Sequence, residues 1–303
     1  MLSSLLLLLL DPFPSHHSSA AMHSKAPPSP SLNSQAGSVI SFSMQPNELR
    51  LVPLERDKIS EQLRDAENIR YAAYRAAAKL EILQSGLKLD NIRFGVVCNV
   101  FHHHGMTSGE NDVVLDVSEA NDIVSDIFFA ASKGRVYHTP PMDVEALTAA
   151  ALKYAFLIYD NQGTGGILVK SLKVFFVLLC NGRLRDKFLY LFRQFEDSSN
   201  SVSKKALVSM LNTVAHFAEF FGEAISFGLS LVEGSANQCF AHYNNTNSND
   251  AAGLTEDTFT RWLLQEPQIM VWLPTHFRMV SAKGIRHGLR CNHCKLEDII
   301  GMR

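Results

Sequence analysis

Residues 159–171 read YDNQGTGGILVKS and lie between two stretches whose apolar residues recur with helical spacing. If Asp160 is position 1 of a twelve-residue loop, Gly165 falls at position 6, where such a loop turns sharply. Ile167 then falls at position 8, where two paired loops form a short β-ladder. The stretch therefore predicts a helix–loop–helix unit with the frame of a calcium-binding loop.

The side chains that would hold calcium are mostly missing from this EF-hand-type frame. Calcium loops take oxygen ligands at positions 1, 3, 5, 9 and 12, and the last is normally a bidentate Glu. Positions 3 and 5 are instead Gln162 and Thr164, and position 12 is Ser171. Position 9 is the apolar Leu168, so Asp160 supplies the one remaining carboxylate. We expect a degenerate loop that binds no calcium; a calcium-binding EF-hand sensor is the alternative interpretation.

The polar run at 240–259 fits the same frame and also lacks the ligands. Leu254 falls at position 8, and Thr255 is placed to cap the helix that follows. Positions 1 and 3 are Asn247 and Asn249, and no acidic residue stands at position 5 or 12. This loop is predicted to be degenerate as well.

A further loop is expected around Asp197, in the stretch FEDSSNSVSKKAL. It has no glycine at its turn and is too short, so we interpret it as a shortened remnant of the same frame. Helix–loop–helix units normally occur in pairs over a shared core, which predicts one pair within residues 49–180 and a second within 181–272. Without calcium, each pair is expected to be a rigid scaffold and not a switch.

The rest of the chain is predicted to be mainly α-helical, because alternating strand-like patterns are nearly absent. Thr139 and Pro140 are the predicted N-cap and first position of one strong helix. Three adjacent histidines, 102–104, indicate a polar helix end more than a metal site, since histidines that bind a metal from one helix face stand three or four apart. Helical patterns cover residues 53–87, 92–101, 139–159, 169–180, 184–195, 207–217 and 259–263.

Composition excludes several classes of function. The chain has 28 Lys and Arg against 30 Asp and Glu, so it has no excess positive charge for nucleic acid or anionic lipid. Its 46% hydrophobic content suffices for a buried core. Cys98, Cys180 and Cys239 stand alone and are expected to be buried as small apolar residues. No phosphate loop, nucleophile elbow or zincin helix is present, so no enzyme is predicted.

Residues 1–48 are predicted to be a disordered leader, because Ser, Pro and His dominate after residue 10 and aliphatic residues are few. The run Leu5 to Leu10 resembles the centre of a signal peptide, but no basic region precedes it. It is also far shorter than the roughly 20 residues that span a bilayer.

The carboxyl end, CNHCKLEDIIGMR, contains half of a zinc site. Cys291 and Cys294 place two thiolates within reach of one ion, whereas structural zinc takes four Cys or His ligands. His293 lies inside the turn between the cysteines and cannot readily face the same ion. No tight zinc binding is expected from this pair alone.

Several motifs, in this order, resemble the dystrophin and dystrobrevin family. They are IRYAAYRAAAKLEILQ, YDNQGTGGI with RDKFLYLFRQF, ISFG, EPQIMVWLP, and CNHC with IIGMR. The similarity covers about residues 68–303. It is most like a short dystrobrevin, because no WW domain precedes residue 46; the EPQ stretch is closer to dystrophin, so the branch stays open.

The resemblance implies a cytoplasmic adaptor of the dystrophin-associated glycoprotein complex, at the inner face of the plasma membrane in muscle or at synapses. Its implied partners are of the dystrophin, syntrophin or dystroglycan type, although the syntrophin-binding and coiled-coil parts of such an adaptor are not expected in these 303 residues. It would reach the membrane through those partners. Residues 285–303, with Cys291 and Cys294, correspond to the first part of a ZZ zinc finger, which would bind zinc only if completed. The stretch Trp272-Leu273-Pro274 is interpreted as packed in the core, with an exposed hinge against that finger as the alternative.

Overall fold

The computed structural model describes residues 58–134, 142–244 and 253–283. The predicted leader and the cysteine pair near the carboxyl end lie outside these ranges. No helix in the described part has both the length and the apolar character that crossing a bilayer requires.

The described part is mainly α-helical, which confirms the predicted fold class. Its α-helices are α1 (Lys58–Asp65), α2 (Ala72–Gly86), α3 (Phe94–His103), α4 (Val117–Lys133), α5 (Val144–Tyr159), α6 (Val169–Leu179), α7 (Leu184–Phe195), α8 (Lys204–Phe220), α9 (Ala224–Phe227), α10 (Val232–Asn244), α11 (Glu256–Leu264) and α12 (Trp272–Ala282). Its two β-strands are β1 (Val114–Asp116) and β2 (Gly166–Leu168).

The first EF-hand-like pair consists of α3 and α4 around one loop and α5 and α6 around the next. The strands β1 and β2 join these loops in an antiparallel ladder, with Leu115 opposite Ile167. Both side chains are buried, so the ladder lies directly over the core. Ile167 thus occupies the place that position 8 of the loop frame predicts, while its partner loop before α4 was not recognised from the sequence.

The second pair consists of α7 and α8 around a short loop and α10 and α11 around a longer one. A single antiparallel bridge replaces the ladder: Val202 N lies 2.8 Å from Leu254 O, and Leu254 N lies 2.9 Å from Val202 O. Thr255 is the N-cap of α11, and its side chain accepts a hydrogen bond from the Thr258 amide. The predicted frame around Leu254 therefore holds where the structure describes it.

The helix α12 follows the second pair and packs on α2, near the other end of the described chain. Trp272 at its start is fully buried, with its ring centroid 6.4 Å from both Phe217 and Phe221. The indole N–H donates to the carbonyl of Ile269 at 3.1 Å. The structure therefore confirms that this tryptophan packs in the core, and it contradicts the alternative of an exposed hinge.

Two helix boundaries differ from the sequence predictions. The helical pattern over 53–87 is interrupted between α1 and α2, where Ile69 is extended and its carbonyl accepts from Arg75 Nη1 at 2.6 Å. The helix α5 begins at Val144, and Asp143 caps it by accepting a hydrogen bond from the Ala146 amide. Thr139 and Pro140, the predicted N-cap and first position of that helix, lie outside the described residues.

The isolated cysteines and the histidine run mostly follow expectation. Cys180 and Cys239 are buried, but Cys98 is only partly buried, contrary to the prediction. The helix α3 ends at His103, and the next residue, His104, has Nε2 2.9 Å from Asp126 Oδ2. The run is thus the polar end of a helix, tied to α4 by one surface contact.

Candidate functional site in the paired loops

Loop 2, residues 160–171 between α5 and α6, is held together by its own first side chain. Asp160 Oδ1 accepts hydrogen bonds from the Thr164 amide at 2.8 Å and the Thr164 hydroxyl at 3.0 Å. Oδ2 accepts from the Gly165 amide at 2.8 Å. The carboxylate that would be the first calcium ligand is therefore used to close the loop.

The turn of loop 2 keeps the backbone of a calcium loop. Gly165 has φ of +76°, the left-handed conformation that position 6 requires and that glycine adopts without strain. Gln162, at position 3, is exposed, whereas Ser171, at position 12, is buried in α6. The structure thus brings Asp160, Thr164 and Gly165 together through hydrogen bonds in which Gln162 and Ser171 take no part.

The hydrogen bonds of Asp160 also set its protonation. Burial on its own raises the pKa of this carboxyl, but the backbone and hydroxyl donors of Thr164 and Gly165 outweigh it and hold the pKa below its ordinary value. A carboxylate with a lowered pKa contributes stability that is present above the unfolded value of about 3.9. That contribution is lost as the pH falls through the folded pKa.

Replacing Asp160 by Asn is expected to lower the free energy of unfolding by about 1–2 kcal/mol at pH 7, because an amide NH₂ would face one of the donor N–H groups. The difference between the two proteins should begin to shrink as the pH falls below the unfolded value of about 3.9 and should continue to shrink through the lowered pKa of Asp160. Urea unfolding at pH 7 and pH 3 measures both effects. Asp112→Asn, at a surface ion pair, is the matched control and should change stability by less than about 1 kcal/mol; equal effects of the two variants would contradict the closing role of Asp160.

Loop 1, before α4, has lost the turn but kept several carboxylates. The ladder places Leu115 at position 8, so Asp116 and Glu119 fall at positions 9 and 12. These two form a capping box for α4: the Asp116 amide donates to Glu119 Oε2 at 3.0 Å, and the Glu119 amide donates to Asp116 Oδ1 at 2.8 Å. Asp112, at position 5, pairs with Lys170 of α6 at 2.6 Å. Three of the four carboxylates of this loop are therefore engaged in a helix cap and an ion pair, whereas Glu110, at position 3, is exposed.

Loop 3, between α7 and α8, is the shortened remnant that the sequence predicts. Asp197 Oδ1 accepts from the amide of Ser199 at 2.9 Å and from that of Ser201 at 3.3 Å. Asn200 takes the left-handed conformation, with φ of +53°, two residues before the bridging Val202. Gly165 likewise stands two residues before Ile167. Compared with loop 2, loop 3 is therefore shorter between Asp197 and the left-handed Asn200, and it keeps the left-handed turn.

Loop 4, between α10 and α11, is described only at its end. Its Leu254 bridge and Thr255 cap are given above, whereas Asn247 and Asn249 lie outside the described residues. Cys291 and Cys294 lie outside them too. Within the ranges that the structure describes, no three His, Cys, Asp or Glu side chains are grouped so that they could hold a metal ion.

A buried charge cluster joins α2 to the second pair. Glu223, after α8, accepts from Arg75 Nε and, at 2.7 Å, from Arg75 Nη2. Lys79 lies 3.7 Å from the same carboxylate and donates to the Phe221 carbonyl and to Glu67. Glu223 and Lys79 are 3% and 2% exposed. Sequence analysis missed this cluster because its partners are far apart in the chain.

Comparison with protein families gives two matches over these helices. A family model described as EF hand matches residues 57–180, and one described as EF-hand matches residues 184–280. The two spans coincide with α1 to α6 and with most of α7 to α12.

Curated relatives match across both spans. Dystrophin isoform B of Drosophila melanogaster is 31% identical over 253 residues, covering 82% of this chain and 15% of the relative. Utrophin of Rattus norvegicus is 29% identical over 246 residues, 81% of this chain and 7% of the relative. Dystrobrevin-1 of Caenorhabditis elegans is 29% identical over 294 residues, 96% of this chain and 44% of the relative.

The chain spans less than half the length of each of these relatives. The motifs that resemble the family, the paired helix–loop–helix architecture and these matches agree. The chain belongs to the dystrophin and dystrobrevin family.

Proposed function

We propose that this chain is a non-enzymatic scaffold whose EF-hand-like pairs keep their shape without calcium and bind protein partners. The observation that carries the proposal is the engagement of both Asp160 oxygens by Thr164 and Gly165. These hydrogen bonds occupy both acceptor sites of Oδ1 and one of Oδ2, and positions 3, 5 and 12 offer a calcium ion no carboxylate. A pair that does not bind the ion has no calcium-driven opening.

The partners that we propose are proteins of the dystrophin-associated glycoprotein complex, of the dystrophin, syntrophin or dystroglycan type. Similarity to dystrophin, utrophin and dystrobrevin supports this class of partner. The proposed location is the cytoplasmic face of the plasma membrane, reached through those partners. Zinc binding by Cys291 and Cys294, and only within a completed finger, stays a prediction.

Binding to partners is expected to be independent of calcium. The chain would be titrated by calorimetry against the purified dystroglycan cytoplasmic tail, a syntrophin and a dystrophin carboxyl-terminal region, each in 1 mM EGTA and in 1 mM CaCl₂. If the chain is a scaffold, it should bind at least one of these partners, and the dissociation constants for that partner in EGTA and in CaCl₂ should agree within about twofold, a difference of roughly 0.4 kcal/mol. A tenfold or larger change with calcium would favour the sensor, and binding to none of the three would contradict the proposed partners.

A further inference from the structure

Lys173 is a buried lysine whose ammonium has oxygen partners on three separate elements. It belongs to α6 and is 1% exposed. Nζ donates to the Thr107 carbonyl at 2.9 Å, to Asn111 Oδ1 at 2.9 Å and to Gln194 Oε1 at 2.7 Å. Thr107 directly precedes the loop 1 frame, Asn111 lies inside it, and Gln194 lies in α7 of the second pair.

These contacts satisfy the ammonium completely. A lysine has three N–H donors, and a buried charge is tolerated where each polar group finds a partner. Asn111 completes the network, because its Nδ2 donates to the Gln194 carbonyl at 2.6 Å. Burial lowers the pKa of Lys173 to about 8, and nearby Glu110 opposes that shift. The side chain is therefore mostly charged at pH 7.

Two backbone hydrogen bonds lie beside this network and hold loop 1 to the start of α6. The Val169 amide donates to the Val113 carbonyl at 3.0 Å, and the Lys170 amide donates to the Asn111 carbonyl at 3.1 Å. Loop 1 has none of the turn geometry that positions loop 2, since Val113 at position 6 is not in the left-handed region. Within the frame the Val113 amide donates to the Glu110 carbonyl at 3.0 Å, and the contacts from α6 add to such local hydrogen bonds where the turn is missing.

We propose that the Lys173 ammonium is a built-in cation that closes loop 1 and fastens it to the second pair, in the role that a bound calcium ion has in a metal-loaded pair. The ammonium does not lie at the calcium-ligand positions of the loop. It binds the carbonyl of Thr107, the residue before the loop, and the side chain of Asn111 at position 4. The acidic side chains at positions 5, 9 and 12 are free for the α4 cap and the Lys170 ion pair. This inference rests on the proposed calcium-free function and explains how loop 1 is held under it.

Lys173→Met tests the proposal because methionine keeps much of the apolar stem and removes the charge. It would leave the buried Asn111 Oδ1 and the part-buried oxygens of Thr107 and Gln194 without their shared donor, which is expected to lower Tm by about 6–10 °C. Hydrogen exchange at the Val169 amide should become at least about tenfold faster. Lys170→Met, three residues earlier on α6 at a partly exposed ion pair, is the matched control and should lower Tm by less than about 2 °C.

Chemical rescue distinguishes the effect of losing the positive charge from the effect of losing the packed side chain. Lys173→Ala removes the atoms of a propylammonium ion, so propylammonium at tens of millimolar should recover at least half of the lost Tm. Propan-1-ol has similar size without charge, and tetramethylammonium has charge without N–H donors; neither should recover more than about a fifth. All measurements are made in EGTA, so a result here is independent of whether the wild-type chain binds calcium.

Equal losses of Tm in Lys173→Met and Lys170→Met, or equal rescue by propan-1-ol and propylammonium, would overturn the proposal. If Lys173→Ala does not fold without an additive, refolding in propylammonium but not in propan-1-ol supports it, and refolding in neither overturns it. Calcium uptake by the wild-type chain would instead overturn the proposed function.

Discussion

Glu223→Gln is expected to be the most destabilising conservative change in the described part of the chain. The carboxylate is buried between Arg75 and Lys79, and removing its charge leaves two cations facing a neutral amide. Breaking a buried ion pair on one side costs about 3–5 kcal/mol. For a chain of this size, Tm should fall by about 10 °C.

Thermal and urea unfolding of the purified variant measure this loss. Asp257→Asn is the matched control, because Asp257 pairs with Arg261 on an exposed helix face where an ion pair contributes less than about 1 kcal/mol. A Glu223→Gln protein as stable as the control would show that the cluster does not hold α2 to the second pair.

Restoring the missing ligands of loop 2 is expected to create a calcium site. The variant Gln162→Asp, Thr164→Asp, Ser171→Glu places carboxylates at positions 3, 5 and 12 beside Asp160. Because loop 2 keeps the position 6 turn and the position 8 ladder, its dissociation constant for calcium should fall to about 1–100 μM. Without calcium the variant should be less stable than the parent, since four carboxylates then share one loop.

Calorimetric titration with calcium measures the affinity, and Tm with and without calcium gives an independent reading. Saturation at about 100 times the dissociation constant should add roughly 2.7 kcal/mol of stability. The same variant with Asp160→Asn should lose most of the affinity. Ser199→Asp with Ser201→Asp in the shortened loop 3 should gain none. A folded triple variant without calcium uptake would contradict the retained frame.

Loop 2 could be predicted from the sequence because its frame depends on local residues. Asp160, Gly165 and Ile167 stand at fixed spacings. The residue type of each suits its place in the loop: a carboxylate at position 1, a glycine at the left-handed turn and an apolar residue in the β-ladder. The same reasoning found Leu254 with Thr255. Turns and helix caps that depend on neighbouring residues can be predicted from one sequence without knowledge of distant contacts.

Loop 1 could not be found in that way. It has no glycine at its turn, and its recognisable feature, the pairing of Leu115 with Ile167, requires knowledge of the other loop. Its two acidic residues at positions 9 and 12 look like ligands, yet they cap α4. The signal that was available, an Asp followed three residues later by Glu before an apolar run, is the capping box of Asp116 and Glu119.

The buried polar contacts could not be predicted from the sequence either. Lys173 stands in a very apolar helix, where a lysine is usually expected to extend its ammonium into solvent. Its oxygen partners come from loop 1 and α7, and Arg75 meets Glu223 across 148 residues of chain. The aromatic neighbours of Trp272 could not be named for the same reason, because they belong to α8 and to the residue after it.

The central claim is that hydrogen bonds within the chain hold the loops in place of an ion, and direct calcium titration of the chelator-washed wild-type chain tests it most directly. We expect no saturable heat up to 1 mM calcium, a Tm shift below about 1 °C, and unchanged emission from Trp262 and Trp272, since a site with a dissociation constant of 10 μM would add roughly 2.7 kcal/mol at that concentration. Saturable micromolar binding that disappears in Asp160→Asn would contradict the account.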